Sequence, residues 1–341
     1  MSHEIENETR FYSYKQPAWH GLGYVSETAM SIDEALIAAD MDFTWDKHPV
    51  STTIMDEHGV QSIDIPEKYA VVRTNRRNNE RAAFGPVGEQ YTVHSANEIF
   101  SFVDELQGGG AVLETVGSLG RGERQFVVVK LPDSVTVGGS DKTDLYLTGT
   151  TAFDGSAATR FDLTGIRVVC ANTWKFAQAQ NDQKQSAYVK FRHTSQLDVS
   201  DIDKARRVLE LSTDMAGELE QVGNKLLSVS LRDEDAAQVI ATLFPYPELV
   251  QPGMSVDLLT AGQKRSISKA NTHRAAVFNL YKGSDVRAQE NTGWGLFNAV
   301  TEWADHYSPV NKDEDGVKRA EKILLGDFDG IKSKTLDLLL V

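Results

Sequence analysis

Lysine and arginine side chains are concentrated in two stretches of a sequence that is otherwise acidic. The 341-residue chain carries a formal net charge of −14, and such a chain repels a polyanion unless a local cluster of cations reverses the field. Residues 160–195 contain six Lys and Arg against two acids, and residues 260–290 also contain six against two. Cations on one surface bind phosphates by displacing counterions. We therefore expect phosphate contacts from Arg160, Arg167, Lys175, Lys190, Arg192, Lys264, Arg265, Lys269 and Arg274.

Aromatic residues accompany the first of these basic stretches. Trp174 precedes Lys175, and Tyr188 and Phe191 lie on either side of Lys190. Aromatic rings beside cations suit a single strand, because unpaired bases stack on the rings while the cations follow the backbone. The sequence therefore predicts a site for single-stranded DNA or RNA, with Trp174, Tyr188 and Phe191 as the stacking residues.

The residues that could support an enzyme are scattered along the chain. Cys170 ends an apolar run, where a free cysteine usually behaves as a small hydrophobe, although with a distant histidine it would be a nucleophile. Asp154 lies in an Asp-Gly turn sequence, which needs no ligand but could hold a cation or a phosphate. His20 has no neighbour at metal-ligand spacing, and Glu302 with His306 supplies only two ligands. We expect no catalytic site, no metal and no cofactor.

The composition is that of a soluble globular protein. Hydrophobic residues make up 40% of the chain and charged residues 25%, which is ordinary for folded domains. The single cysteine excludes an intrachain disulfide and fits a reducing compartment. No apolar run approaches the roughly 18 residues that indicate a spanning helix, and the polar start MSHEIENETR is unlike a signal peptide. We therefore expect a cytoplasmic protein with no membrane contact.

Hydrophobic periodicity predicts an α+β fold in three regions. Residues 1–90 form a β-rich region, 91–196 a central α+β core with a β-β-β-α-like pattern, and 197–341 a helical region. Antiparallel strands are expected from alternation and β-branched runs at 43–55, 60–65, 68–74, 111–118, 124–131, 144–151 and 159–170. Helices are expected at 32–39, 96–106, 174–180, from a cap at Asp198 or Ser200 through Leu226, and at 233–244, 261–281, 294–306 and within 324–340.

Five segments together resemble a known family. The segments are, in order, PAWHGLG at 17–23, FDGSAA at 153–158, IRVVCANT at 166–173, RHT at 192–194 and NTGWGLFNAVTEWADH at 291–306. In this order they resemble phage- and plasmid-related proteins that contain the domain of unknown function DUF932. The resemblance implies a mobile-element protein in a host cytoplasm, with work in replication, recombination or defence. Phe153 stands where we expect a histidine in the family, so this position does not support imidazole chemistry here.

The central region is also similar to the core of phage single-strand annealing proteins. The similarity covers the helix and antiparallel strands between residues 95 and 179, and it concerns the fold alone, which does not determine function. Annealing proteins work as rings or filaments. The similarity therefore implies a homo-oligomer that anneals strands during recombination.

The acidic N-terminal region supports a second function. Residues 1–70 contain 13 acids against four bases. This excess fits an acidic interaction module, either a DNA mimic or an inhibitor of a host defence enzyme, whose host partner would bind this region. A DNA mimic displays its acids densely and regularly, whereas these acids are spread among predicted strands and turns. We therefore place nucleic-acid binding first and the interaction module second.

Overall fold

The protein folds into two compact units, each built from separate parts of the chain. A computed structural model describes residues 10–15, 23–57, 59–167, 173–175, 188–191, 193, 201–247, 259–283, 291–311, 318–319, 322–323 and 326–340. The first unit contains Met1–Asp133, Leu145–Thr164 and Gln180–Thr213. The second contains Ser134–Asp144, Gly165–Ala179 and Asp214–Val341.

Strands and helices are both abundant, so the predicted α+β class is confirmed. The strands are β1 (Phe11–Tyr14), β2 (Tyr24–Ser26), β3 (Phe43–Asp56), β4 (Gly59–Asn75), β5 (Arg81–Gly88), β6 (Val112–Leu119), β7 (Arg124–Val137), β8 (Asp141–Ala152), β9 (Thr159–Arg167), β10 (Thr173–Lys175) and β11 (Tyr188–Phe191). The helices are α1 (Ile32–Ala38), α2 (Ala96–Phe100), α3 (Phe102–Gly108), α4 (Asp201–Ser228), α5 (Asp233–Leu243), α6 (Ala261–Tyr281), α7 (Gly293–Glu302) and α8 (Asp329–Leu339).

A three-stranded antiparallel sheet in the first unit has the order β3-β4-β5. β3 and β4 pair almost to their ends, but β5 pairs with β4 only from Lys68 to Thr74. The remaining hairpin, residues 51–67, is a two-stranded ribbon that we call the arm. Every described residue of the arm is exposed. An isolated two-stranded ribbon is marginally stable in water.

The larger sheet has the order β10-β9-β8-β7-β6-β1-β2, with β11 paired to β9. β1 and β2 run parallel, whereas β1–β6, β6–β7 and β9–β11 are antiparallel. Two glycines leave room for aromatic rings against this sheet. A Cβ at Gly117 would lie 2.6 Å from a ring carbon of Phe11, and one at Gly149 would lie 2.5 Å from a ring carbon of Phe161. Any larger residue at either position would displace these rings.

The helices of the second unit surround α7. All ten residues of α7 are buried, α6 and α8 both pack against it, and α5 packs against α6 and α8. The indole Nε1 of Trp294 in α7 donates a 2.8 Å hydrogen bond to Asp141 Oδ2 at the start of β8. Within the described residues, no helix is long and apolar enough to cross a bilayer.

The chain continues from α7 into a π-helical turn, Trp303–Tyr307, in which the Ser308 amide donates to the Trp303 carbonyl. This turn carries a buried ion pair. Lys332 Nζ of α8 lies 2.6 Å from Asp305 Oδ1, and the two side chains are 4% and 0% exposed. A charge buried this deeply is tolerated only when it is paired.

Two helix predictions differ from the structure. The helix expected from Trp174 is wrong at its start, because Thr173–Lys175 form β10 beside β9; the pairing edge of β9 overrides the local capping signal. Residues 176–180 of that prediction lie outside the described residues. The single helix expected at 96–106 is divided at Ser101 into α2 and α3, although the predicted cap at Ser95 is present.

We expect Lys332→Met to lower the free energy of unfolding by about 3–5 kcal/mol, because it leaves the Asp305 carboxylate buried without its cation. Adding Asp305→Asn to this variant should recover part of the loss. Lys334→Met, at an exposed position of the same helix, is the control and should change stability by less than about 1 kcal/mol. Urea denaturation gives the free energy of unfolding of the wild type and of the three variants. An equal loss in the Lys334 control would show that the pair is not responsible.

Candidate functional site

Helix α6 carries the second basic stretch. Thr260 caps the start of the helix with a capping box. Its hydroxyl accepts a hydrogen bond from the backbone N–H of Gln263, and the side-chain oxygen of Gln263 accepts one from the backbone N–H of Thr260. From residue 261 to 283 the chain contains five Lys and Arg and no acid. The buried residues Ala270, Val277 and Tyr281 lie on one side. The helix therefore packs one side against its neighbours and presents the other to solvent.

Three of the predicted cations lie together on the solvent side of α6. Lys264, Arg265 and Lys269 are exposed, and none of the three side chains forms a hydrogen bond or ion pair with another described residue. Arg265 and Lys269 are four residues apart and are therefore neighbours on the helix surface. Their like charges repel each other, and an anionic ligand would relieve that repulsion. These three side chains form what we call the α6 basic face.

Arg274, the fourth predicted cation of this helix, is engaged inside the protein. Its guanidinium donates to the Phe244 carbonyl through Nε (2.9 Å) and Nη2 (2.7 Å), and to the Ala241 carbonyl through Nη2 (3.3 Å). These carbonyls belong to the C-terminal end of α5, where a cation also meets the negative end of the helix dipole. Arg274 thus ties α5 to α6.

Sequence reasoning missed the aromatic residue beside this helix. Tyr246 is 40% exposed, its hydroxyl donates a 2.7 Å hydrogen bond to Asn271 Oδ1 of α6, and its ring centroid lies 4.1 Å from the Arg274 guanidinium carbon. The signal available in the sequence was a tyrosine between Pro245 and Pro247, in the segment between two predicted helices. That pattern indicates an ordered loop but does not show where the ring points.

The first basic stretch is divided between the two units. Arg160 and the strand β11 belong to the first unit, whereas Arg167 and β10 belong to the second. Arg160 forms an ion pair with Asp162, with Nη2 2.6 Å from Oδ1, so its charge is largely balanced. Lys190 is the register partner of Arg160.

For some of the other predicted residues the structure describes only the backbone, and the rest lie outside the described residues. The backbone places Arg167 in β9, Trp174 and Lys175 in β10, and Tyr188 and Phe191 in β11. Arg192, Cys170 and His20 lie outside the described residues. The α6 basic face is therefore the part of the predicted interface whose side chains the structure brings together.

A buried histidine, His193, lies in the first unit and is not among the predicted site residues. His193 is 6% exposed, its ring stacks on Tyr91 with centroids 4.8 Å apart, and the His94 ring is 6.3 Å away. Its Nε2 lies 3.5 Å from the Thr159 hydroxyl, and Nδ1 has no hydrogen-bond partner among the described residues. Burial, together with the nearby His94, lowers the pKa of His193 below its ordinary value.

The Asp-Gly turn next to this histidine is held by the protein itself. Asp154 Oδ1 accepts from the backbone amide and the hydroxyl of Ser156, and Phe153 stacks on Trp45 with ring centroids 3.8 Å apart. Burial and the Asp154 charge raise the pKa of Tyr91, whose hydroxyl donates to the Ala152 carbonyl. This arrangement gives Asp154 a structural role in the turn, where Phe153 fills space rather than carrying a proton.

The structure assembles no metal centre from the residues it describes, since no group of three or more His, Cys, Asp or Glu side chains is placed to hold an ion. Glu302 and His306, the pair considered from the sequence, lie at the junction of α7 and the π-helical turn. Glu302 is 7% exposed, whereas His306 is exposed. In an α-helix, residues four apart lie on the same side of the helix. The π-helical turn has more residues per turn, so Glu302 and His306 are not aligned in this way.

The fold and these sites define an α+β protein with a basic helix face and a buried histidine. Comparison with protein families matches residues 83–324 to the family described as "Domain of unknown function (DUF932)". The match covers well over half of the chain, so the protein belongs to this family, as the motifs indicated. No curated protein matches the chain. No solved structure matches it either.

We expect acid to destabilise the first unit through His193. Its pKa is lower in the folded protein than the ordinary value of about 6.5, so the unfolded chain binds the proton first as the pH falls. The stability is complete above about pH 6.5 and is lost below it, by at most about 1.4 kcal/mol per pH unit for one proton. His193→Gln keeps a polar group near Thr159 but cannot titrate.

Urea denaturation between about pH 7.5 and pH 5.5 should therefore show a smaller loss of stability for His193→Gln than for the wild type. His273→Gln, in the second unit, removes another histidine whose pKa is lowered by burial and by Lys269, and it serves as the comparison. The same loss in the wild type and in His193→Gln would contradict the assignment.

Proposed function

We propose that this protein binds single-stranded nucleic acid through the α6 basic face. The observation that supports this most strongly is the set of three exposed cations, Lys264, Arg265 and Lys269, on a helix without acids. None of the three is neutralised by a hydrogen bond or ion pair to another described residue. In a chain of net charge −14, an exposed basic helix is hard to explain by solubility alone.

The charge distribution predicts weak binding that depends strongly on salt. Each phosphate contact with a single strand adds about −0.7 to the slope of log K against log salt concentration. Three contacts therefore give a slope of about −2. The acidic remainder of the chain opposes the approach of a polyanion, so binding should be confined to this face.

The family motifs and the similarity to annealing proteins suggest the biological setting. We propose a phage or plasmid protein that anneals strands in recombination, acts as a homo-oligomer in the host cytoplasm, and uses DNA or RNA as its partner. Annealing brings two strands onto one assembly. Several copies would multiply the small basic face of one chain, because linked weak sites give a much higher combined affinity.

We expect the triple variant Lys264→Ala/Arg265→Ala/Lys269→Ala to weaken binding of a labelled thymidine oligomer by roughly tenfold or more at about 50 mM salt, and to reduce the salt slope by about 2. Fluorescence anisotropy at several salt concentrations between about 50 and 200 mM gives both quantities. The three side chains are exposed, so the variant should keep the wild-type melting temperature.

A matched variant separates this face from total charge. Lys68→Ala/Arg77→Ala/Arg81→Ala removes three exposed cations from the first unit and changes the net charge by the same amount. It should leave affinity and salt slope near the wild-type values. Equal weakening by both variants would mean that net charge alone controls binding. Unchanged affinity in both variants would exclude the α6 basic face as the binding site.

The arm supports the alternative function, an acidic interaction module. Half of the exposed large hydrophobic residues in the described chain lie on it: Ile54, Met55, Val60, Ile63 and Ile65. It also carries Asp56, Glu57, Asp64 and Glu67 and no Lys or Arg between residues 51 and 67. Exposed apolar groups beside several acids fit a protein partner with a basic, partly apolar surface.

The two functions can be separated in one experiment. If the arm binds a basic host protein, Asp56→Asn/Glu57→Gln/Asp64→Asn should reduce capture of that protein from host extract, because charge complementarity is lost. The same variant should bind the thymidine oligomer as well as the wild type does. Unchanged capture by the neutralised arm would remove the support for the interaction module.

A further inference from the structure

We propose that Tyr246 is a stacking platform for one unpaired base of the strand that the α6 basic face holds. This inference rests on the proposed function, because it needs a strand bound to α6. It goes further by assigning a base-binding position, and by specifying that the ligand must present unpaired bases. Tyr246 was not among the aromatic residues that the sequence indicated.

The Tyr246 ring is fixed by contacts on two sides. Its hydroxyl donates to Asn271 Oδ1 at 2.7 Å, and its ring centroid lies 4.1 Å from the Arg274 guanidinium carbon. Arg274 is itself held by the carbonyls of Phe244 and Ala241. A ring that is already immobilised loses little conformational freedom when a base stacks on it, and this favours binding.

The ring is nevertheless open to solvent. Tyr246 is 40% exposed, while Arg274 covers one of its two faces and Asn271 takes its hydroxyl. A fully buried tyrosine could make the same two contacts, but it would leave no ring surface on which a base could stack. The exposed part of a ring that also meets a guanidinium is suited to a nucleobase, because bases stack on aromatic rings with little dependence on sequence.

The α6 basic face is at the right distance to hold the backbone of the same strand. An α-helix rises by about 1.5 Å per residue, so Asn271, which anchors the tyrosine, lies about 10 Å along the axis from Lys264. Lys264 and Asn271 are seven residues apart, which places them on the same side of the helix. A base on Tyr246 would therefore have a flanking phosphate within reach of Lys264.

This arrangement selects for single strands. In a duplex the faces of the bases are covered by neighbouring pairs, and an external tyrosine cannot stack on them without breaking that stack. The cations alone would accept any polyanion. The tyrosine therefore supplies the part of recognition that requires an unpaired base.

The test compares two probes that differ only in their bases. One is a labelled thymidine oligomer of about 12 nucleotides, and the other is an abasic oligomer of the same length, which keeps the phosphates. We expect Tyr246→Ala to weaken binding of the thymidine oligomer by roughly tenfold and to leave the abasic oligomer unchanged. Tyr246→Phe keeps the ring and loses the hydroxyl, so it should retain most of the wild-type affinity.

The outcomes separate this inference from the proposed function. Weakening of both probes by Lys264→Ala/Arg265→Ala/Lys269→Ala, with no effect of Tyr246→Ala on either probe, would overturn the stacking assignment and leave the α6 basic face in place. If neither set of substitutions changes binding, the proposed function fails as well. Equal weakening of both probes by Tyr246→Ala would also overturn the assignment, since it would indicate a disturbed helix.

A second measurement does not depend on affinity. A thymidine oligomer in which 5-iodouracil replaces one base should crosslink to Tyr246 on irradiation, because stacked aromatic side chains react in this way. Peptide mapping then identifies the modified residue. Crosslinking confined to other residues would count against the proposal even if the Tyr246 variants bind weakly.

Discussion

The complete burial of α7 is the constraint on which the second unit depends. A helix with no solvent-exposed side must be covered by its neighbours, and α6 and α8 provide this cover together with the hydrogen bond from Trp294 to Asp141. Each covering helix can therefore use only one side for packing. The buried residues of α6, Ala270, Val277 and Tyr281, fill that side, and the opposite side is left free for cations that contribute nothing to the core.

Arg274 serves the structure of the helix pair, whereas the other cations of α6 are those to which we assign binding. Its guanidinium satisfies carbonyls at the end of α5 and supports the Tyr246 ring. Its charge is therefore used within the protein. Lys264, Arg265 and Lys269 have no such contacts among the described residues. The same helix thus combines a fixed cation, which sets the position of an aromatic ring, with three hydrated cations that an anionic chain can reach.

The sequence predicted what depends on local pattern and missed what depends on contacts between distant residues. The bounds of α6 agree with the prediction, because the Thr260 cap and the spacing of apolar residues are local signals. The difference between Arg274 and Lys269 could not be predicted, since it depends on where α5 ends in space. Tyr246 was missed for the same reason: a proline-flanked aromatic residue has no periodicity that shows its neighbours. The helix expected from Trp174 was wrong because a cap signal was weighed above strand pairing with β9.

In the proposed function, the acidity of the rest of the chain would make binding at the α6 basic face selective. A uniformly basic protein binds any nucleic acid wherever it touches, because phosphate contacts carry no sequence or strand information. Here the net charge of −14 weakens contact everywhere except where cations are exposed without counter-charges. A strand held by only three cations gains little affinity from charge alone, so a stacked base would contribute a large share of the binding free energy. Discrimination between paired and unpaired strands is therefore strongest in a protein that binds phosphate weakly, and an acidic chain with a small basic face on α6 would meet that condition.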